Sequence, residues 1–135
     1  MLEVLYAVVF VAAVLAGYVL LLRFRVVAAS ASAAGDVCAI IPARNEQNSL
    51  PALLESLDRS SVPVRVLVID DASTDATVAA AREAGVEVIS PGAPPSGWTG
   101  KAWACHVGAN STDEELLLFL DADTVLASGA LGGIV

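Results

Sequence analysis

Apolar positions along the chain fall into two kinds of block. The first is one long run, Leu2 to Leu22, 21 residues whose only charge is Glu3. The second begins after residue 36, where short apolar runs alternate with segments of helical periodicity. Val37-Cys38-Ala39-Ile40-Ile41, Val64 to Ile69, Val86 to Ile89 and Leu116 to Leu120 are each bounded by turn-forming or charged residues and predict four strands, the first stopped by Pro42. Between the first two strands, Leu50, Leu53, Leu54 and Leu57 recur at i, i+3, i+4 and i+7. This predicts a helix from Ser49 to Asp58, capped by Asn48 or Ser49, with Pro51 tolerated in its first turn. A second helix is predicted from Thr74 to Ala84, with Ser73 as cap, Asp75 at its positive end and Gly85 as stop. A Pro- and Gly-rich loop over 90–100 precedes a third helix, Lys101 to Ala109. Ser128 can start a weak, Gly-interrupted helix reaching Val135.

The resulting βαβαβαβ order implies an α/β fold with a parallel sheet and right-handed crossovers. Continuous apolar runs, rather than alternation, predict strands covered on both faces. Four strands leave a sheet edge open, so this architecture is incomplete.

The long N-terminal run has a different reading. At helical rise it spans roughly 31 Å, the thickness of a bilayer core. Arg23 and Arg25 follow it, and no Lys or Arg precedes it. The positive-inside bias therefore predicts a single-pass anchor in the cell membrane with the remainder in the cytoplasm. The expected organisation is a transmembrane anchor over 1–25, a linker over 26–36 and a domain over 37–135. A cleaved signal peptide has candidate cleavage sites at Ala29-Ser30-Ala31 and Ala31-Ser32-Ala33, but the run is too long and no positive n-region precedes it. A buried core helix is the third alternative.

The formal net charge of −8 argues against a nucleic-acid partner, which requires a basic face. Cys38 and Cys105 have no metal-ligand spacing and read as two buried free thiols, consistent with a reducing cytoplasm. His106, the only histidine, reads as a structural or surface residue.

Chemistry concentrates where the strands end. Leu116–Leu120 runs into Asp121-Ala122-Asp123, and Val66–Ile69 runs into Asp70-Asp71. Aspartate is a poor strand residue and expensive to bury, so its recurrence after apolar runs points to acids converging at the carboxyl edge of a parallel sheet, where ligands bind. Acids at such an edge suit a divalent metal and, through it, a phosphate. Asp121 and Asp123 fall on one side of an extended stretch; the alternative is a turn that begins with aspartates. Ser73 and Asp75 are explained by starting a helix, whereas the adjacent charges of Asp70 and Asp71 are not, and a base or ribose donating hydrogen bonds would account for them. Pro42-Ala43-Arg44-Asn45-Glu46 lies at the same edge, or is an ordinary polar loop. Lys101, at a helix start after a Gly-rich loop, suits a diphosphate. A P-loop is rejected, because Pro95 replaces the first glycine and Ala102 the required Ser/Thr.

Taken together, Ile41-Pro-Ala-Arg-Asn-Glu46, Val68-Ile-Asp-Asp-Ala-Ser-Thr-Asp75, Gly100-Lys101 and Phe119-Leu-Asp-Ala-Asp-Thr124 resemble the family 2 glycosyltransferases. The Gly97-Trp-Thr-Gly-Lys-Ala-Trp103 string, with the predicted anchor, is similar to the carotenoid- and hopanoid-associated membrane branch. The resemblance implies a Rossmann-like GT-A fold and an inverting hexosyl transfer from a UDP- or GDP-sugar, with a lipid or other membrane-associated acceptor. It implies that Pro42, Ala43, Arg44 and Glu46 flank the nucleotide and that Asp70 or Asp71 binds the base or ribose. Lys101 would lie near the nucleotide or diphosphate, Asp121 would face the ribose, and Asp123, with Asp121, would hold Mn2+ or Mg2+. No residue here matches the family's catalytic base, so the chain is expected to carry the donor-binding half and to be inactive alone. Two alternatives remain: a non-catalytic nucleotide-binding module or gene remnant, and a haloacid-dehalogenase-type phosphatase with Asp121 as nucleophile and Asp123 as acid/base.

Overall fold

The computed structural model describes residues 37–133. The predicted anchor and linker lie outside the described residues, as do the last two positions of the chain. Among the described residues no helix is long and apolar enough to cross a membrane.

Four parallel strands form one sheet in the order β3-β2-β1-β4, with β1 Val37–Ala43, β2 Arg65–Asp70, β3 Glu87–Ile89 and β4 Leu116–Phe119. β1 is central, its Ile40 opposite Leu67 of β2 and Phe119 of β4. Period-two alternation along β1 sends its side chains to two cores. Ala39, Ile41 and Ala43 pack with Val68 against helix α1 (Leu50–Asp58) and Ala81 of helix α2 (Thr77–Glu83). Cys38 and Ile40 pack with Leu67, Ile69 and Ala104 of helix α3 (Gly100–Ala109) on the other face. The predicted βαβαβαβ order and parallel sheet are thus present. Burial pushes the Cys38 thiol up, while Cys105 is only half-buried rather than buried as expected.

Several local expectations are corrected. Pro42 does not stop β1, which runs to Ala43. Ile40 O accepts from Leu120 N on the β4 side and Ala43 O from Asp71 N on the β2 side, so Pro42 faces β4 where that strand has ended. Its missing N–H therefore removes no ladder bond. β4 is not covered on both faces: Leu116, Leu117 and Phe119 are exposed, Phe119 by 48%, because among the described residues the helices pack on β1, β2 and β3, while β4 packs chiefly on its neighbour β1. Helix α2 begins at Thr77 rather than Thr74, and Ser73 does not cap it. Ser49 occupies the cap position of α1, but its hydroxyl donates to the Glu46 carboxylate instead of accepting from the helix. Among the described residues after Ser128 there is one 3-10 turn, Leu131–Gly133, in place of the expected helix.

Candidate functional site

The carboxyl ends of β1, β2 and β4 and the start of α3 meet around an open cleft of about 220 Å³. Pro42, Ala43, Arg44 and Glu46 line it from the β1 end, Asp71 from the β2 end, Lys101 from α3, and Asp121, Ala122 and Asp123 from the segment after β4. Every predicted site residue except Asp70 lines this one cleft. The buried Asp70 carboxylate instead accepts from Ser73 N at 3.2 Å and fixes the turn after β2. That turn holds Ala72 at φ 56, a left-handed conformation costly for a residue with a Cβ, and the aspartate bond helps to hold it there.

Two cations face the carboxylates. Arg44 pairs with Asp71 at 3.5 Å, and Lys101 Nζ donates to Asp121 Oδ1 at 2.6 Å. The Asp121 carboxylate hydrogen-bonds and attracts Lys101, which pushes the ammonium pKa up. Both partners of the Lys101 pair are well exposed, so the pair contributes little to folding and stays exchangeable for a ligand's charges. Asp121 and Asp123 do not lie on an extended stretch. Thr124 N donates to Asp121 O at 3.0 Å, closing a turn that buries Ala122 and leaves both aspartates exposed at the cleft.

The β1 and β2 loops are clasped together by reciprocal bonds. Asn45 N donates to Ser73 Oγ at 3.0 Å, while Thr74 N donates to Asn45 Oδ1 at 2.8 Å. Gln47 N donates to Asp75 Oδ2 at 3.2 Å, and Ala76 N donates to Gln47 Oε1 at 2.9 Å. Beneath them, fully buried Thr77 accepts from Glu46 N at 2.8 Å and donates to Asp75 Oδ1. That hydroxyl bond, the largest influence, draws the Asp75 carboxyl below its ordinary range. Asn45 sits at φ 57, where asparagine is tolerated better than most residues. Polar residues that read as a helix start are thus the fastening between two site loops. The one local signal for this was the density of Asn, Ser, Thr and Asp in two short loops.

Among the described residues no group of three or more His, Cys, Asp or Glu side chains could hold a metal. Mg2+ and Mn2+ do not require one, since a hard cation can take one or two carboxylates and fill its shell with water and phosphate oxygens. Asp121 and Asp123, exposed at one cleft beside Lys101, fit that lesser demand. The arrangement can hold a polar anionic ligand between cations and acids.

The chain is 44% identical over 93 residues to the 4,4'-diaponeurosporenoate glycosyltransferase of Staphylococcus haemolyticus, covering 67% of this chain and 25% of that protein. It therefore spans about a quarter of the length of the curated relatives it matches. Its fold resembles S. aureus TarS 1-349 in complex with UDP-GlcNAc, with a TM-score of 0.55 and 26% identity over 71% of this chain and 29% of that one. The fold alone is shared with the Pyrobaculum calidifontis mannosyltransferase PcManGT, solved with GDP-Man and Mn2+, at TM-score 0.66 and 24% identity over 83% of this chain and 35% of that one. The model of the family described as glycosyl transferase family 2 matches residues 38–135, which take in all of the sheet but Val37 and all four segments that line the cleft. The chain belongs to glycosyl transferase family 2.

Proposed function

We propose that the cleft binds a UDP- or GDP-sugar as donor for metal-dependent hexosyl transfer, with inversion, to a lipid or other membrane-associated acceptor. The observation that carries this reading is the convergence of four separated segments on one cleft at the carboxyl edge of the sheet. The family match and the UDP-GlcNAc bound by TarS support a nucleotide-sugar over other anions.

In this reading the β1 end, Pro42 to Glu46, flanks the nucleotide, and Asp71 accepts hydrogen bonds from its base or ribose. Asp70, spent on its own turn, supports that loop. Lys101 exchanges Asp121 for the diphosphate, leaving Asp121 to the ribose. Asp123, with Asp121, would hold Mn2+ or Mg2+, which supplies charge neutralisation of the departing nucleoside diphosphate. In this reading none of the residues that line the cleft takes the role of the base that removes the acceptor's proton, and these residues bind donor without turning it over. Leu2 to Leu22 anchors this domain at the cytoplasmic face of the cell membrane, near a lipid acceptor. The dehalogenase-type reading gains nothing from the family match, which accounts for the earlier segments that it leaves unexplained.

Calorimetric titration of UDP and GDP into the full chain tests this. One nucleotide binds in the presence of Mn2+ and loses most of its affinity with a chelator or on Asp123→Asn. Absence of heat with either nucleotide, in a chain shown to be folded, overturns the proposal.

A further inference from the structure

Gly100 is the first residue of α3, directly after the Thr99 cap. Its backbone gives no conformational reason for a glycine: unlike Gly85, Gly92, Gly97 and Gly129, it has no positive φ. The reason is steric. A Cβ built on Gly100 would overlap Asp71 Oδ2 and lie 2.8 Å from Asp71 Cγ and 3.0 Å from Oδ1. The Asp71 carboxylate thus rests against the first turn of α3, largely shielded at 15% side-chain exposure, and the oxygen nearest Gly100, Oδ2, is also the one that pairs with Arg44 at 3.5 Å. The next residue of α3 is Lys101, which reaches Asp121 across the cleft.

We propose that Gly100 is a positioning residue of the donor site. Its missing side chain lets the Asp71 carboxylate sit against α3 while still paired with Arg44, and lets Lys101 reach the Asp121 side. The proposal rests on the donor reading above. A methyl group at position 100 must displace either the Asp71 carboxylate from the cleft or the start of α3, and with it Lys101, from the strand ends. The contacts of Asp71, or those of Lys101, to a bound nucleotide are then lost, a loss of about tenfold in affinity.

A double-mutant cycle on the full chain tests this, using Gly100→Ala, Asp71→Ala and the double variant, read by UDP and GDP titration with Mn2+ and by thermal melting. Gly100→Ala alone should weaken nucleotide binding about tenfold and lower Tm. In the Asp71→Ala background the clash is gone, so Gly100→Ala should leave affinity unchanged and raise Tm, because alanine leaves the unfolded chain less conformational freedom than glycine. The reversal of sign in Tm stays readable even if the single variant folds poorly, since the double variant does not carry the clash. Additive losses in both readouts overturn the positioning role, as does a Gly100→Ala chain that binds like wild type. A wild-type chain that binds neither nucleotide overturns the donor reading and this role with it, and that result is distinct from a variant-specific failure.

Discussion

Replacing Thr77 with valine tests the clasp that shapes the cleft. Thr77 is fully buried, accepts from Glu46 N at 2.8 Å and donates to Asp75. Valine keeps the branched shape and removes the hydroxyl, so packing is nearly unchanged and the polar loss is isolated. The Glu46 N–H, half-buried under the β1 loop, is left without that acceptor, a loss of about 1–3 kcal/mol. Against the roughly 5–15 kcal/mol that holds an ordinary domain, this is a large fraction. Thr77→Ser keeps the hydroxyl and loses only a methyl, at about 1 kcal/mol. Urea unfolding of wild type, Thr77→Val and Thr77→Ser, followed by far-UV circular dichroism, measures both. The valine variant should be the less stable of the two. A valine variant within about 0.5 kcal/mol of wild type, or one no worse than serine, refutes a buried hydrogen-bonded hub at this position.

Two further outcomes follow from the same geometry. A Cβ on Gly108 would overlap Ile40 Cγ2 and lie 3.1 Å from Ile69 Cγ1, so Gly108→Ala should destabilise the chain by about 1–3 kcal/mol, despite alanine's better helix propensity; a rise in Tm contradicts the close packing of α3 on the sheet. Asp75 has its folded pKa lowered, chiefly by Thr77, so its contribution is fully present above the unfolded carboxylate pKa of about 4 and is lost as pH falls through the lowered folded value. Tm measured from neutral to acid pH should therefore fall less steeply below about pH 4 in Asp75→Asn than in wild type; superimposable acid limbs remove Asp75 from the account.

The parts of this architecture legible in the sequence are those governed by local periodicity. Leu50, Leu53, Leu54 and Leu57 mark the buried face of α1, and the four apolar runs mark the four strands, because burial on a regular element leaves a regular trace. The strand-end acids marked the correct edge of the sheet for the same reason: they interrupt that trace. What local reading missed depends on residues distant in the chain. Ser73 looks like a helix cap, but its hydroxyl accepts from the Asn45 amide 28 positions away, and α2 starts at Thr77. Asp70 and Asp71 are indistinguishable in sequence, yet one carboxylate turns back to Ser73 N and the other lies in the cleft. β4 is as apolar as β2, and only its place in the fold, last in the strand order of the described residues, leaves Leu116, Leu117 and Phe119 exposed. Gly100 sat in a loop already rich in glycine, where nothing local separated a steric requirement from a flexible one.

Amide chemical-shift mapping of the isotope-labelled full chain, titrated with UDP and with GDP in the presence of Mg2+, tests the central claim most directly. The account predicts saturable shifts, with one of the two nucleotides, clustered at Ala43, Arg44, Asp71, Lys101 and Asp121 to Asp123, and largely abolished by removing the metal. Shifts confined to the opposite end of the sheet around Arg65 and Glu87, or no saturable shift with either nucleotide, would contradict it.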